Sequence, residues 1–377
     1  MNPGILTEIS KGKFSLCQLE DLCPELSAMK KTPQNPEYHA EGNVFRHTEM
    51  VCEALTGLPQ WKYMQEEEQA LLFLAASFHD IGKTVCTRME EGAWVSPRHT
   101  LVGEKVFRQI AYRSGDLFQM TFRQRELVAK LIRCHGLPVW FWTKQNPDFE
   151  LFKAAESIPL VLLYLLSKAD ILGRITTVPD HLSEQVEMFA DYAKELHLWK
   201  SPHKFANLHT KFEFYQKENL WCNVELFDNT EFDVILMSGL PLSGKDTWIA
   251  KNGGDTPVIS LDDLREKMGI PPTKGSGKVV QAAMEQARNY LRKKQPFIWN
   301  ATNLLQETRQ KLVRLFAGYG ARVHILYLEV PYQELLRRNR CRARHIPEHV
   351  LETMIQRFEV PAPWEAHDVT VITTLPI

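Results

Sequence analysis

Val234-Ile235-Leu236-Met237-Ser238-Gly239-Leu240-Pro241-Leu242-Ser243-Gly244-Lys245-Asp246-Thr247 decides how the second half of this 377-residue chain is read. A short apolar run of strand type leads into G-x-x-x-x-G-K, and an amphipathic stretch follows. Glycines at these positions let backbone N–H groups converge on phosphate oxygens. The N-terminus of the following helix adds its dipole, and the lysine reaches the outer phosphates. Gly239, Gly244, Lys245, Asp246 and Thr247 are therefore the expected nucleotide-binding set, with ATP or another NTP and Mg²⁺ as its ligands.

Outward from this loop, β-rich runs at 234–237, 257–260, 297–299, 322–328 and 369–372 alternate with helices starting near Lys245, Val279, Gln306 and Pro331. Such alternation predicts a parallel sheet covered on both faces, with ligands at the carboxyl ends of its strands. Asp262 and Arg265 fall at one such end. A carboxylate there can accept the proton of an attacking hydroxyl, and an arginine one helical turn on can grip a phosphate with two hydrogen bonds. The run 337–344 carries five arginines in eight residues, which repel one another unless anions lie among them, so it is read as a lid over the nucleotide. Together these elements resemble the kinase domain of the phage-type 5′-hydroxyl polynucleotide kinases. The resemblance implies that Asp262 is the general base and that Arg265 holds the substrate phosphate beside the 5′-hydroxyl. It makes Arg342, or failing it Arg338 or Arg340, the lid arginine, and places Thr302 and Asn303 along the substrate channel. Two positions depart from that pattern. Asp246 replaces the usual Ser/Thr that offers a hydroxyl to Mg²⁺, and Asn300 ends a strand where many such kinases carry an acid. A carboxylate relocated from strand end to loop would keep the charge beside the metal.

The first half reads as helices. The run 71–78 is densely apolar, Val102, Val106 and Ile110 recur every fourth residue, and 158–172 and the face Val186, Phe189, Ala190, Ala193 continue the pattern. His79-Asp80-Ile81-Gly82-Lys83 ends the first of these helices. His47, His99, His135 and Asp170 fall on or beside successive ones, as an inward-facing metal site in a bundle requires. This set resembles the HD phosphohydrolase superfamily. The stretch 32–48, with His39-Ala40-Glu41-Gly42 leading to His47, is similar to the HD domain of bacterial tRNA nucleotidyltransferases. The resemblance implies a two-metal site from His47, His79, Asp80, His99, His135 and Asp170, with Lys83 and Arg174 holding a phosphoryl group. Four imidazoles among six ligands favour two transition ions such as Mn²⁺, Co²⁺ or Ni²⁺ over Mg²⁺. His39 reads more simply as a loop residue.

Composition excludes some classes. Hydrophobic residues make up 44% and charged residues 24%, which is globular rather than disordered or fibrous. Lys and Arg number 45 against 46 Asp and Glu, a net charge of −1, so a nucleic-acid partner must be gripped by a local patch. The longest apolar run is far short of the ~20 residues that cross a bilayer, and no secretory pattern is visible at the N-terminus. Seven scattered cysteines without a CxxC pair argue against a disulfide framework and fit a reducing cytoplasm. The expected organisation is multidomain: an all-α helical bundle over 1–202, a connecting segment over 203–230, and an α/β kinase domain with a parallel sheet over 231–377. Both halves together resemble the bifunctional bacterial RNA end-healing enzymes. That implies kinase action on 5′-hydroxyl ends of RNA, and of DNA as a further candidate. It also implies removal of a 2′,3′-cyclic phosphate or 2′-phosphate, a separate RNA ligase as partner, and no membrane. The alternatives are an HD nucleotidase fused to a small-molecule kinase of nucleoside type, or a nucleotide sensor that binds without turnover.

Overall fold

The computed structural model describes residues 5–10, 14–176, 181–217, 220–271, 275–342 and 345–373. The chain divides into two compact units, Met1–His203 and Lys204–Ile377.

In the first unit the polypeptide is helical where the apolar spacing is helical. The helices used below are α1 (Val44–Gly57), α2 (Glu66–Phe78), α3 (His99–Arg113), α4 (Phe122–Cys134) and α5 (Leu160–Leu172). Helix α1 starts where the Asn43 side chain accepts a hydrogen bond from Arg46 N. Helix α4 starts at a capping box formed by Thr121 and Gln124. Glu66, Glu67 and Glu68 occupy the first turn of α2, where the helix dipole favours negative charge. Helix α2 is buried on every side from Ala70 to Phe78, and α5 is almost as apolar throughout. These two are therefore central, with α1, α3 and α4 packed on them. One element departs from the all-helical expectation: a hairpin of β1 (Arg88–Glu90) and β2 (Ala93–Val95) between α2 and α3. Its turn residues Glu91 and Gly92 both have positive φ, 49° and 83°, the twist that a two-residue hairpin turn needs. Strands of three residues are too short to leave a periodic signature.

The second unit holds a five-stranded, wholly parallel sheet of β3 (Phe232–Ser238), β4 (Val258–Ser260), β5 (Phe297–Asn300), β6 (Ala321–Leu328) and β7 (Asp368–Ile372) in the order β4-β5-β3-β6-β7. Successive residues of β3 point to opposite faces. Val234 and Leu236 join Ile259, Trp299, Val323 and Ile325 in the larger core, and Met237 joins Ile298, Leu326 and Leu328 in a second one. The larger core is covered by α9 (Ser276–Arg292), through Val279, Ala283, Ala287 and Leu291, and by α10 (Gln306–Ala317). Helix α7 (Lys245–Asn252) packs Trp248 and Ile249 on the other face. The chain leaves β3 towards β4 on one side and later crosses to β6 on the other. The topological switch thus lies at the carboxyl end of β3, where a ligand crevice opens.

The expected connecting segment falls at 203–230, and of it the described residues 204–217 and 220–230 group with the second unit. Within it α6 (Leu208–Gln216) buries Phe212 in the sheet core. Two further helices, α8 (Leu261–Lys267) and α12 (Glu348–Arg357), lie outside the expected set, whereas α11 (Tyr332–Cys341) lies within it. Helix α8 follows β4 with no intervening turn, because Ser260 ends the strand and caps the helix through Asp263 N.

Arg309 braces this unit. Its guanidinium is fully buried and bonds both oxygens of Glu365, at 2.7 and 3.0 Å, and the carbonyls of Asn303, Leu304 and Glu359. Removing one partner of a buried pair strands the other charge, at about 3–5 kcal/mol. Chemical denaturation is expected to show Arg309→Met losing that much stability. Glu365→Gln, which keeps an acceptor, should lose less.

Candidate metal centre and phosphate-binding site

Each of the helices α1 to α5 in the first unit carries or adjoins a metal-site residue, and their ligand atoms come together at one end of the bundle. His47 lies in the first turn of α1, His79 and Asp80 follow α2, His99 opens α3, His135 follows α4, and Asp170 lies in the last turn of α5. Gly82 makes this possible, since a Cβ there would stand 2.0 Å from His99 O and 2.5 Å from Gly103 N. His47 Nε2 is 3.1 Å from Asp170 Oδ1 and 3.7 Å from Asp80 Oδ2. His79 Nε2 is 3.3 Å from Asp80 Oδ2. His99 Nε2 and His135 Nε2 lie 3.5 and 3.9 Å from Asp80 Oδ1. These atoms fall into two triads, His47/His79/Asp170 and Asp80/His99/His135, each with its ligand atoms within 4.8 Å of one another.

The second nitrogens explain why the first face inwards. His79, His99 and His135 each have Nδ1 at a backbone carbonyl, those of Ala76, Ser96 and Ile132, at 2.7, 3.0 and 2.9 Å. An Nδ1–H committed to a carbonyl leaves the Nε2 lone pair for a metal. Burial, reinforced by His79, pushes the His135 imidazole down to about 3 and keeps it neutral. Burial also works against ionisation of Asp80 and Asp170. The groups around them prevail, Lys83 and the His79 imidazole for Asp80, the His47 imidazole and Arg174 for Asp170, and both carboxyls stay well below the usual range. Even so, His79 Nε2 and Asp80 Oδ1 are buried without a hydrogen-bond partner. Unpaired nitrogen and carboxylate atoms converging in this way suit divalent ions. Lys83 Nζ sits 2.7 Å from Asp80 Oδ2 and 2.8 Å from Gln34 Oε1, and Arg174 Nη2 lies 3.8 Å from Asp170 Oδ2. Both cations thus stand at the rim of the acidic pair.

In the second unit Gly239 adopts φ 142° and Gly244 φ 100°. A Cβ on Gly239 would lie 2.3 Å from Leu328 O, so the loop needs glycine there. Lys245 is buried, and its Nζ donates to Gly239 O and Leu240 O at 3.1 and 2.9 Å. Burial lowers its pKa to about 8 against the opposing pull of Asp246 and Asp262. Asp246 and Asn300 meet: Asn300 Nδ2 donates to Asp246 Oδ1 at 2.7 Å. A cavity of about 520 Å³ is lined by Gly244, Lys245, Asp246, Thr247, Arg338 and Arg342, among others, and its size and polarity fit nucleotide phosphates. Arg338 Nη1 donates to Leu242 O at 3.0 Å, and Glu334 pairs with both Arg337 and Arg338. Arg344 lies outside the described residues.

Asp262 is exposed in the first turn of α8. Arg265 is turned onto the chain before α9, with Nη1 3.3 Å from Pro271 O and Nη2 3.2 Å from Ser276 Oγ. Thr302 and Asn303 line a second cavity of about 490 Å³ with Leu261, Leu305, His349 and Met354. The Asn303 amide, however, donates to Met237 O at 2.7 Å, and Gly239 N donates to Thr302 O at 2.9 Å. The side chain of Asn303 therefore holds the base of the phosphate loop, while the residue also lines the second cavity. Sequence reasoning missed Gln34, Glu41 and Glu334. Only Glu41 left a signal there, as the His-x-Glu six residues before His47.

Residues 43–174 match the HD domain family and residues 234–361 the AAA domain family. The chain is 29% identical over 156 residues to the L-seryl-tRNA(Sec) kinase of Methanococcus maripaludis, covering 37% of this chain and 59% of that relative. A gluconokinase from Sinorhizobium meliloti 1021 is similar at 22% identity over 37% of this chain and 82% of its own, with a TM-score of 0.28. The chain thus carries a segment similar to the HD domain followed by one similar to the AAA domain, and it spans about 59% of the length of the relative it matches. Among the described residues no helix is long and apolar enough to cross a membrane.

If Asp246 supplies the charge that Asn300 lacks, Asp246→Ala should lower kinase turnover ~10- to 100-fold, as loss of a ligand-supporting group does. Asn300→Asp alone should also be harmful, because two carboxylates then face the triphosphate. The double variant Asp246→Ser, Asn300→Asp should recover much of the loss. Losses that simply multiply would make the two roles independent. Nucleotide affinity should also depend on pH. Bound phosphates raise the Lys245 pKa above its free value of about 8, so binding takes up a proton at higher pH. Calorimetry should show affinity level below that pH and falling above it, with the fall abolished in Lys245→Arg.

Proposed function

We propose that this protein heals RNA ends: the kinase domain phosphorylates 5′-hydroxyl termini from ATP, and the HD domain removes a 2′,3′-cyclic phosphate or 2′-phosphate. The observation that carries this reading is the presence in one chain of two phosphate-directed sites. One is a paired His/Asp cluster rimmed by Lys83 and Arg174. The other is a phosphate loop with an arginine strip beside it and an acceptor-side carboxylate near its lysine. A cleaved RNA with a 5′-hydroxyl and a cyclic phosphate needs one reaction of each kind before it can be ligated by a partner ligase. The relative from Methanococcus is named for a kinase whose acceptor is carried by an RNA, which favours an RNA-borne hydroxyl over a free small molecule.

In the kinase reaction Asp262 takes the proton of the 5′-hydroxyl as its oxygen bonds to the γ-phosphorus, and the bond to the ADP leaving oxygen breaks. Lys245 and Arg342 hold the nucleotide phosphates, and Arg265 holds the phosphate beside the acceptor. The 490 Å³ cavity beyond Leu261 receives the terminal nucleotide. In the HD domain Lys83 and Arg174 hold the phosphoryl oxygens. Divalent ions held by His47, His79, Asp80, His99, His135 and Asp170 would supply water activation and charge stabilisation.

Incubation of an RNA oligonucleotide bearing a 5′-hydroxyl and a 2′,3′-cyclic phosphate with ATP and divalent metal, followed by end analysis, tests the proposal. Both ends should change. Asp80→Ala should abolish only the phosphoesterase, and Lys245→Ala only the kinase. Mn²⁺, Co²⁺ or Ni²⁺ should support the phosphoesterase better than Mg²⁺, while Mg²⁺ suffices for the kinase. Transfer of labelled phosphate to a nucleoside or to serylated tRNA, but not to the oligonucleotide, would overturn the reading. A DNA oligonucleotide run alongside shows whether the 2′-hydroxyl is required.

A further inference from the structure

Four imidazoles face the metal centre, and one is anchored differently from the others. His79, His99 and His135 rest their outer nitrogens on neutral backbone carbonyls. His47 Nδ1 instead lies 2.9 Å from Glu41 Oε1, a carboxylate whose side chain is 1% exposed. The approach is oblique to the ring nitrogen and makes no hydrogen bond there, so His47 Nδ1 is a buried polar atom still lacking one, while the same oxygen is in line with His39 Nδ1 at 2.9 Å. The His39 and His47 rings stand edge to face with centroids 4.6 Å apart. The other oxygen, Glu41 Oε2, accepts from Ile175 N at 2.9 Å, and Ala40 N donates to Ile175 O at 2.7 Å. Glu41 therefore ties α1, which carries His47, to the end of α5, which carries Asp170 and Arg174.

We infer that Glu41 is a positioning residue for one of the two ions, the one held by His47, His79 and Asp170. His47 Nε2 now faces Asp170 Oδ1 at 3.1 Å. For Nε2 to offer its lone pair to a metal, the ring proton must reside on Nδ1, and Glu41 supplies the acceptor there. An ionised acceptor also makes the imidazole a stronger donor than a carbonyl does. In the triad of Asp80, His99 and His135 both outer ring nitrogens rest on backbone carbonyls instead, so its affinity should be set independently. His39 shares the same carboxylate oxygen and fixes its direction. The inference rests on the metal-centre reading and does not depend on RNA being the substrate.

Metal-stripped full-length protein titrated with Co²⁺, by calorimetry and by visible absorption, tests it. Wild-type protein should take up two ions. Glu41→Gln keeps an acceptor for His47 and Ile175 but removes the charge. It should weaken one ion ~10- to 100-fold, leave the other unchanged, and keep the melting temperature of the metal-free protein. Glu41→Ala should weaken the same ion further, and His39→Ala less than either. Unchanged affinity for both ions in Glu41→Gln would overturn the inference. So would equal weakening of both together with a lower metal-free melting temperature, which marks a purely structural role. Three ions in the wild type and two in Glu41→Ala would make Glu41 a ligand instead. A wild type that takes up no Co²⁺ would sink the metal centre itself, whereas failure of the RNA assay alone would leave this inference standing.

Discussion

A buried carboxylate cannot stay ionised without a positive answer close by, and in this molecule the answers to Asp80 and Asp170 come from residues on or beside α1, α2, α3, α4 and α5. An isolated charge in a protein interior costs several kcal/mol. Asp80 is 2% exposed and surrounded by Lys83, His79, His99 and His135. Asp170 meets His47 and Arg174. The site is thus also the brace of the bundle: α1, α2, α3, α4 and α5 converge where charge demands it. The compensation is incomplete, since Asp80 Oδ1 and His79 Nε2 lack partners. An unsatisfied buried polar atom costs about 1–3 kcal/mol, a cost that divalent ions would relieve.

The same demand shapes the second unit with opposite sign. Arg309 is buried at the heart of the α/β domain, and Glu365 answers it from near the start of β7. Its remaining donors hold the carbonyls of 303 and 304, and those residues in turn hold the end of β3 through Ser238 Oγ and Met237 O. The phosphate loop therefore stands on a chain of hydrogen bonds that begins at one buried ion pair. Lys245, at the mouth of the loop, has only backbone carbonyls for partners. Its suppressed pKa is the mark of a cation waiting for a stronger anion.

Both units are accordingly charge-compensation devices left one step short of neutrality, a state that a phosphate-bearing ligand would complete. Bound ions with Lys83 and Arg174 would meet a phosphoryl group in the first unit. The loop amides, Lys245 and the arginine strip would meet a triphosphate in the second. Pairing Asp246 with Asn300 adds a local variation, in which one carboxylate and one amide share the place beside Lys245.

How much of this was legible in sequence depended on how local each signal is. The loop at Gly239–Lys245 spans a strand end and a helix start, so spacing alone marks it, and the alternation around it determined the parallel sheet. The histidines and aspartates were visible because each sits at a helix terminus, where apolar periodicity places them at one end of a bundle. The contacts between segments distant in sequence were invisible. Glu41 reaches Ile175 across 134 residues and Arg309 reaches Glu365 across 56. Nothing in local pattern distinguishes such a residue from a solvated charge. Likewise Phe212 could not be assigned to the sheet core until the sheet existed to receive it, and the bond of the Asn303 amide to Met237 O had no local signal. Sequence determined which chemistry the chain carries and in what order. Only the tertiary structure decided which polar side chains are spent holding that chemistry in place, because a buried group's partner is chosen by packing rather than by proximity along the chain.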